Sequence, residues 1–213
     1  MSQAEARSRD SSEMISIHGT SAKAIAITFD DGPNPEFTPQ MLAIFREEGG
    51  RATFYMNGNQ IERDPDTARL VHAEGHEIGN HSFTHPNLTE LDEAAVRAEL
   101  VRTGNLIRET VGVEPATFRP PYLATDAKVE RIARELGYAV MGGVNGAARD
   151  WEMPGADHIL EASLAVVEPG SILVFHDGHG DRSQTVEAVR ALVRTLIKEG
   201  YMFVTASELL AMK

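Results

Sequence analysis

The feature that most constrains this chain is an alternation running through its whole length. Short β-rich runs are each followed by a longer stretch of helical periodicity. Strands are predicted at residues 24–29, 52–56, 77–80, 117–119, 139–141, 172–175 and 202–205. The intervening segments carry helix signals. Thr38-Pro39 reads as an N-cap and first-turn proline, with Gly49 as the stop; Asp64-Pro65 opens a second helix that Gly75 closes. Residues 90–111 place Val96, Leu100, Thr103, Ile107 and Val111 on one stripe, and residues 126–136 repeat it with Val129, Ile132, Ala133 and Leu136 before Gly137. A weak helix is expected at 157–167, a strong one at 183–199 with Val186, Val189, Val193 and Leu196 inward, and a last short one capped by Ser207.

Seven βα units without a break in composition describe one α/β domain, built either as a parallel barrel or as a doubly wound sheet. A length of 213 residues suits a single domain with a full core. Residues 21–213 are assigned to it. The first 20 residues are polar and read as a loose tail.

Composition narrows the function classes. A formal charge of −12, from 32 acidic and 20 basic residues, disfavours nucleic acid and anionic membrane, which reward clustered Lys and Arg. No apolar run approaches the roughly 18 residues of a membrane span, and the N-terminal residues lack a signal-peptide apolar core. The chain is read as cytoplasmic, or as a secreted protein whose signal has been removed. There is no cysteine, so any metal must be held by His, Asp or Glu.

Residues with chemical potential gather in one place. Asp30 and Asp31 follow the first strand, His81 and His85 the third, Arg119 the fourth and Asp150 the fifth, while His176 and Asp177 end the sixth. Parallel α/β folds build their sites at the C-terminal strand ends.

Each motif also has a bland reading. Asp30-Asp31-Gly32-Pro33 reads as a turn, although two adjacent carboxylates repel and a cation would relieve them. His81 and His85, four apart, form either a surface pair or, on a helical turn, two ligands on one face. Two imidazoles and one carboxylate leave open positions, as catalytic zinc requires, and Asp31 is the natural third ligand. His72 is expected to be exposed on its helix, and His76 to be structural. Arg119-Pro120-Pro121-Tyr122 is either a rigid connector or a stiff mount, with Arg119 orienting a carboxylate and the Tyr122 N–H facing an oxyanion. Asp150-Trp151 is either a loop acid with a packing indole or part of the site. His176 is either a satisfied core histidine or a general acid beside an apolar pocket.

Together these residues resemble the polysaccharide deacetylase family, carbohydrate esterase family four, also called the NodB homology domain. The resemblance is carried by Thr-Phe-Asp-Asp-Gly-Pro at 28–33, His-Ser-Phe-Thr-His at 81–85, Arg-Pro-Pro-Tyr at 119–122, Asp-Trp at 150–151 and Ile-Leu-Val-Phe-His-Asp at 172–177. It extends from about residue 24 to 210, with the five motifs in order. It implies a distorted (β/α)7 barrel and a zinc ion, or another divalent ion such as cobalt, on Asp31, His81 and His85. It implies Asp30 as general base, His176 as general acid, Arg119 as the residue orienting Asp30, and Asp150 as support for His176 or Arg119. The Tyr122 N–H would face the oxyanion. Trp151 and Val174 would line the acetyl-methyl pocket, with Pro120 and Pro121 at the substrate. Val174, Leu123 and Gly142-Gly143 depart from the family's usual residues and bear on substrate choice.

The expected activity is metal-dependent hydrolysis of the N-acetyl group of N-acetylglucosamine-containing glycans: chitooligosaccharide, chitin or peptidoglycan. The expected partner is therefore an acetylated glycan. Three rival readings are an O-acetyl xylan esterase with the same metal site, a carbohydrate-binding pseudoenzyme, and a metal-free amidohydrolase.

Overall fold

The computed structural model describes residues 14–213. The chain runs β1 (Ala24–Asp30), α1 (Thr38–Glu48), β2 (Thr53–Met56), α2 (Gly58–Arg63), α3 (Pro65–Ala73), β3 (Glu77–Asn80), α4 (Glu93–Val111), β4 (Thr117–Phe118), α5 (Ala127–Glu135), β5 (Ala139–Val140), α6 (Ala156–Leu164), β6 (Ile172–His176), α7 (Ser183–Lys198), β7 (Met202–Phe203) and α8 (Ala206–Ala211). All seven expected strands form. Helix α2 carries no clear stripe in its six residues and was not foreseen.

The sheet is parallel, in the order β5-β4-β3-β2-β1-β6. Every residue of β1 is buried, which explains its near-continuous apolar run: helices cover one face and the barrel interior the other. Phe29 stacks on Phe54 at 4.9 Å beneath α1 and α7, in a core that includes Met41, Leu42, Val189 and Leu192. The α4 stripe buries Val96, Leu100, Thr103 and Ile107, capped by Asp92 and by Gly112 at φ 80°.

The barrel is distorted in two ways. Strand β7 pairs only with the start of β1, Ala24 with Met202 and Ile25 with Phe203. The Arg51 N–H donates to the Phe203 carbonyl (3.0 Å), so β7 is a wedge between the beginnings of β1 and β2. The other distortion is a gap between β5 and β6 that residues 15–18 fill. The Ile15 N–H donates to Val140 O (2.9 Å), Gly142 N–H to Ile15 O (2.9 Å), Ile172 N–H to Ser16 O (3.0 Å) and His18 N–H to Gly170 O (2.9 Å). This corrects the expected loose tail over residues 14–20; residues 1–13 of that tail lie outside the described residues. Four residues, Ile-Ser-Ile-His, are too short a run to announce a strand, and their partners lie more than 120 residues away.

Two cap assignments also change. Phe37, not Thr38, precedes α1, and the Thr38 hydroxyl donates instead to the Asp177 carboxylate (2.5 Å). Thr205, not Ser207, caps α8, in a capping box with Glu208.

Candidate active site

Strand register does the first part of the assembly. In the β1–β6 pair Asp30 lies opposite His176, so an acid and an imidazole meet at neighbouring strand ends. Asp31 then leaves the strand at φ 76°, a left-handed turn that Asp tolerates better than most side chains.

The two further histidines converge differently from expectation. Residues 81–85 form a loop, not a helical turn, with Ser82 at φ 64° and His85 at φ 60°. The loop is braced locally and from afar. Asn80 Oδ1 accepts from Ser82 N–H, and Ser82 Oγ accepts from His85 N–H. Glu99 of α4 accepts from Phe83 N–H (2.7 Å), Thr84 N–H (2.8 Å) and the Thr84 hydroxyl (2.9 Å). The imidazole centroids end 4.9 Å apart.

Asp31 Oδ1 lies 3.2 Å from His85 Nε2 and 3.6 Å from His81 Nε2. The donor atoms of Asp31, His81 and His85 all fall within 4.8 Å of one another, and no other such metal-ready group occurs among the described residues. Asp31 Oδ1 is buried without a hydrogen-bond partner among the described residues. A cation would satisfy it. His81 Nδ1 donates to the Arg119 carbonyl (2.7 Å), which leaves the lone pair of Nε2 facing inward. Burial pushes the Asp31 carboxyl up, but His81, His176 and His85 outweigh it and hold the group well below the usual range. Burial and the neighbouring His81 lower His85, favouring the neutral ring that a metal needs. One carboxylate and two imidazoles fit a divalent transition metal.

Beside this set stand two charge pairs. The Arg119 guanidinium is fully buried and donates from Nη1 to Asp30 Oδ1 (2.7 Å) and to the Thr28 hydroxyl (2.6 Å), and from Nη2 to the Gly142 carbonyl (2.8 Å). Its plane lies 4.2 Å over the Tyr55 ring. Asp150 pairs with His176 and not with Arg119. Its Oδ1 accepts from His176 Nδ1 (2.8 Å), and its Oδ2 from His176 N–H (2.8 Å) and the Thr185 hydroxyl (3.1 Å). Burial disfavours charge on His176, but the Asp150 hydrogen bond and charge, with Asp30 and Asp31 behind, raise the imidazole above its ordinary value.

The triad, Asp30 and His176 face one cavity of about 440 Å³, which Arg119 and Asp150 support without lining it. Asp30, Asp31, His81, His85 and His176 form its polar end. Trp151, half exposed and edge-on to His176 at 5.5 Å, and Val174 line the rest, with Tyr122 and Leu123 at the rim. Pro120 and Pro121 do not line it, which corrects their assignment to the substrate; both are buried beneath the rim, where they fix the backbone that carries Tyr122. Tyr122 sits at φ 59° and is 70% exposed.

Sequence reasoning did not single out Asn145, Gly146 or Glu99. Asn145 and Gly146 share the strand-end position of the other site residues, which was a usable signal; Glu99 sits mid-helix and gave none. His76 is buried and structural as expected, its Nδ1 accepting from Ala52 N–H (3.0 Å), and His72 is exposed. Asp177 lies beneath the site, and burial, with Asp31 and Asp30 nearby, pushes it up to about 7 against the Thr38 hydrogen bond.

Residues 18–141 match the family model described as Polysaccharide deacetylase. A peptidoglycan-N-acetylglucosamine deacetylase of Bacillus cereus is 40% identical over 192 residues, covering 90% of both chains. A chitooligosaccharide deacetylase of Bradyrhizobium is 34% identical, covering 87% of this chain and 89% of the relative. The crystal structure of the Bc1960 peptidoglycan N-acetylglucosamine deacetylase superposes with a TM-score of 0.87 at 29% identity, covering 92% of this chain and 91% of that one.

Proposed function

This chain belongs to the polysaccharide deacetylase family, and from that premise we propose that it is a metal-dependent hydrolase removing N-acetyl groups from N-acetylglucosamine-containing glycans. The observation that carries the reading is the convergence on one cavity of a metal-ready triad, a carboxylate clamped by a buried arginine, and an imidazole backed by a buried carboxylate. The two relatives described by name as acting on peptidoglycan N-acetylglucosamine and on chitooligosaccharide support this substrate class.

Asp31, His81 and His85 would hold the ion. The chemistry a divalent ion supplies in such a site is Lewis acidity toward an acyl oxygen and activation of water. The remaining steps fall to the protein. Arg119 holds Asp30 in one orientation, from which Asp30 takes the proton of the attacking water. As oxygen adds to the acyl carbon, the Tyr122 N–H donates to the developing oxyanion. Collapse breaks the C–N bond, and an amine leaves poorly unless protonated. His176 delivers that proton from Nε2, its other nitrogen being tied to Asp150. Acetate and the free amine result. Trp151 and Val174 enclose the acetyl methyl.

Zinc-loaded protein incubated with a chitin pentamer should release acetate, and chelated protein or Asp30→Asn should not. Acetate release from acetylated xylan but not from the pentamer would replace the amide reading by the ester one. Silence on both, with metal bound, would refute it.

A further inference from the structure

The far edge of β6 has no partner strand along most of its length. One edge pairs with β1 from Ile172 to His176. On the other edge only Ile172 is served by backbone, from Ser16 and Val144. At the next outward-facing residue, Val174, the partner is a side chain: Asn145 Oδ1 accepts from Val174 N–H (2.7 Å), and Asn145 Nδ2 donates to Val174 O (3.0 Å). A carboxamide offers one acceptor and a donor in a plane, so it reproduces a peptide group of a neighbouring strand. Its Nδ2 also lies 3.2 Å from Ser163 Oγ of α6, which anchors the amide to the helix behind. At His176 the Asp150 carboxylate takes over the same edge.

Val174 is held from its side chain as well. A Cβ built on Gly143 would lie 2.2 Å from Val174 Cγ2, so the valine is seated directly on that glycine. Gly143, Asn145 and Val174 all line the cavity. The apolar wall is therefore fixed at both its backbone and its side chain. We infer that Asn145 is a positioning residue that sets which acyl group the site accepts, by clamping the Val174 backbone so that its side chain closes the pocket just beyond a methyl group. This rests on the deacetylase reading.

The test compares kcat/KM for N-acetyl and N-propionyl chitooligosaccharides in one preparation, because their ratio is independent of the folded fraction. In the wild type the acetyl substrate is preferred. In Asn145→Ala the preference should fall about tenfold, the usual worth of one methylene in an apolar pocket, while zinc content stays unchanged. Val174→Ala should reproduce the loss. A parallel fall for both substrates, with the ratio within about twofold of wild type, would make Asn145 merely structural and overturn the inference. Should Asn145→Ala not fold, Asn145→Asp, which keeps the acceptor for Val174 N–H and loses the donor, decides on the same ratio. An inactive wild type would refute the deacetylase reading and this inference with it, whereas an active wild type with an unmoved ratio in the variants refutes the inference alone.

Discussion

The two ends of the barrel hold acids in opposite states, a half-buried Glu77 at one and a buried Asp31 at the other. At the start of β3, Glu77 accepts four hydrogen bonds: from the hydroxyls of Thr53 (3.0 Å), Thr117 (2.8 Å) and Ser207 (2.6 Å), and from Ser207 N–H (2.9 Å). At the end of β1, Asp31 Oδ1 is buried with none among the described residues, and Asp30 faces a cavity. Leaving a buried polar group unsatisfied costs about 1–3 kcal/mol, more for a charge. The N-terminal end spends its acid on joining β2, β3, β4 and α8. The C-terminal end withholds hydrogen bonds from Asp31 Oδ1 and crowds it with imidazoles. An unsatisfied end is where a ligand is to be expected, and a satisfied end is where stability is.

The same chemical exchange at both ends gives the sharpest contrast. Asp30→Asn removes the proposed base and keeps the shape; turnover per folded molecule should fall about 10²–10⁴-fold, with zinc content retained by elemental analysis and the unfolding temperature lowered, because the buried Arg119 charge loses its counter-ion. Turnover within a few fold of wild type would remove Asp30 from that role and erase the functional half of the comparison.

Asp31→Ala acts on the ion. Zinc affinity by competition with a chelator should weaken by at least about 10²-fold, since loss of outer partners alone costs 10–100-fold. Added zinc should raise the unfolding temperature of the wild type and not of the variant. Undiminished metal content in the variant would refute the ligand set.

Two histidines, one at each end, should respond to pH in opposite senses. Burial lowers His76 from about 6.5 to about 4, against partial opposition from Glu74. Between those values the unfolded chain binds the extra proton, so stability should be lost as pH falls from about 6.5 toward 4, by up to roughly 3 kcal/mol. Urea unfolding at pH 7 and 4.5 measures this, and His76→Gln should flatten it. His176 is raised, so its contribution to stability is present below about 6.5 and is lost as pH rises through the higher folded value. Its acid form persists above the ordinary histidine range, and the alkaline limb of the rate profile should lie there. In Asp150→Asn that limb should move to lower pH. A limb that does not move would detach Asp150 from His176.

Much of the fold could be read in advance because its cause is local in sequence. A strand buried on both faces must be apolar throughout, and β1 is; a helix covering it must carry a stripe, and α4 does. The placement of polar residues at strand ends followed from the same reading, and the structure brings Asp30, Asp31, His81, His85 and His176 around one cavity, with Arg119 and Asp150 behind Asp30 and His176. What escaped depends on distant contacts. The loop of His81 and His85 owes its shape to Glu99, and spacing by four alone cannot distinguish that loop from a helical turn. Residues 15–18 find their partners across the barrel. Asn145 acts as a strand residue from inside a loop, which no local pattern encodes.

The smallest effect is expected at the satisfied end, from Glu77→Gln. The change is the one made in Asp30→Asn, yet here each group finds a compensating partner. Glu77 Oε2 faces Ser207 N–H, a donor that cannot reverse, so the amide oxygen must take that side. The new NH₂ then faces the hydroxyls of Thr117 and Ser207, which can rotate to accept. Only charge assistance is lost, about 1 kcal/mol. Denaturant unfolding should register that loss, while turnover per folded molecule should match the wild type. Glu77→Leu should be costlier, because Ser207 N–H would lose its acceptor with no hydroxyl able to replace it. If Glu77→Gln instead reduced turnover per folded molecule, the two ends would be coupled through β3, and the division between an end that stabilises and an end that reacts would fail.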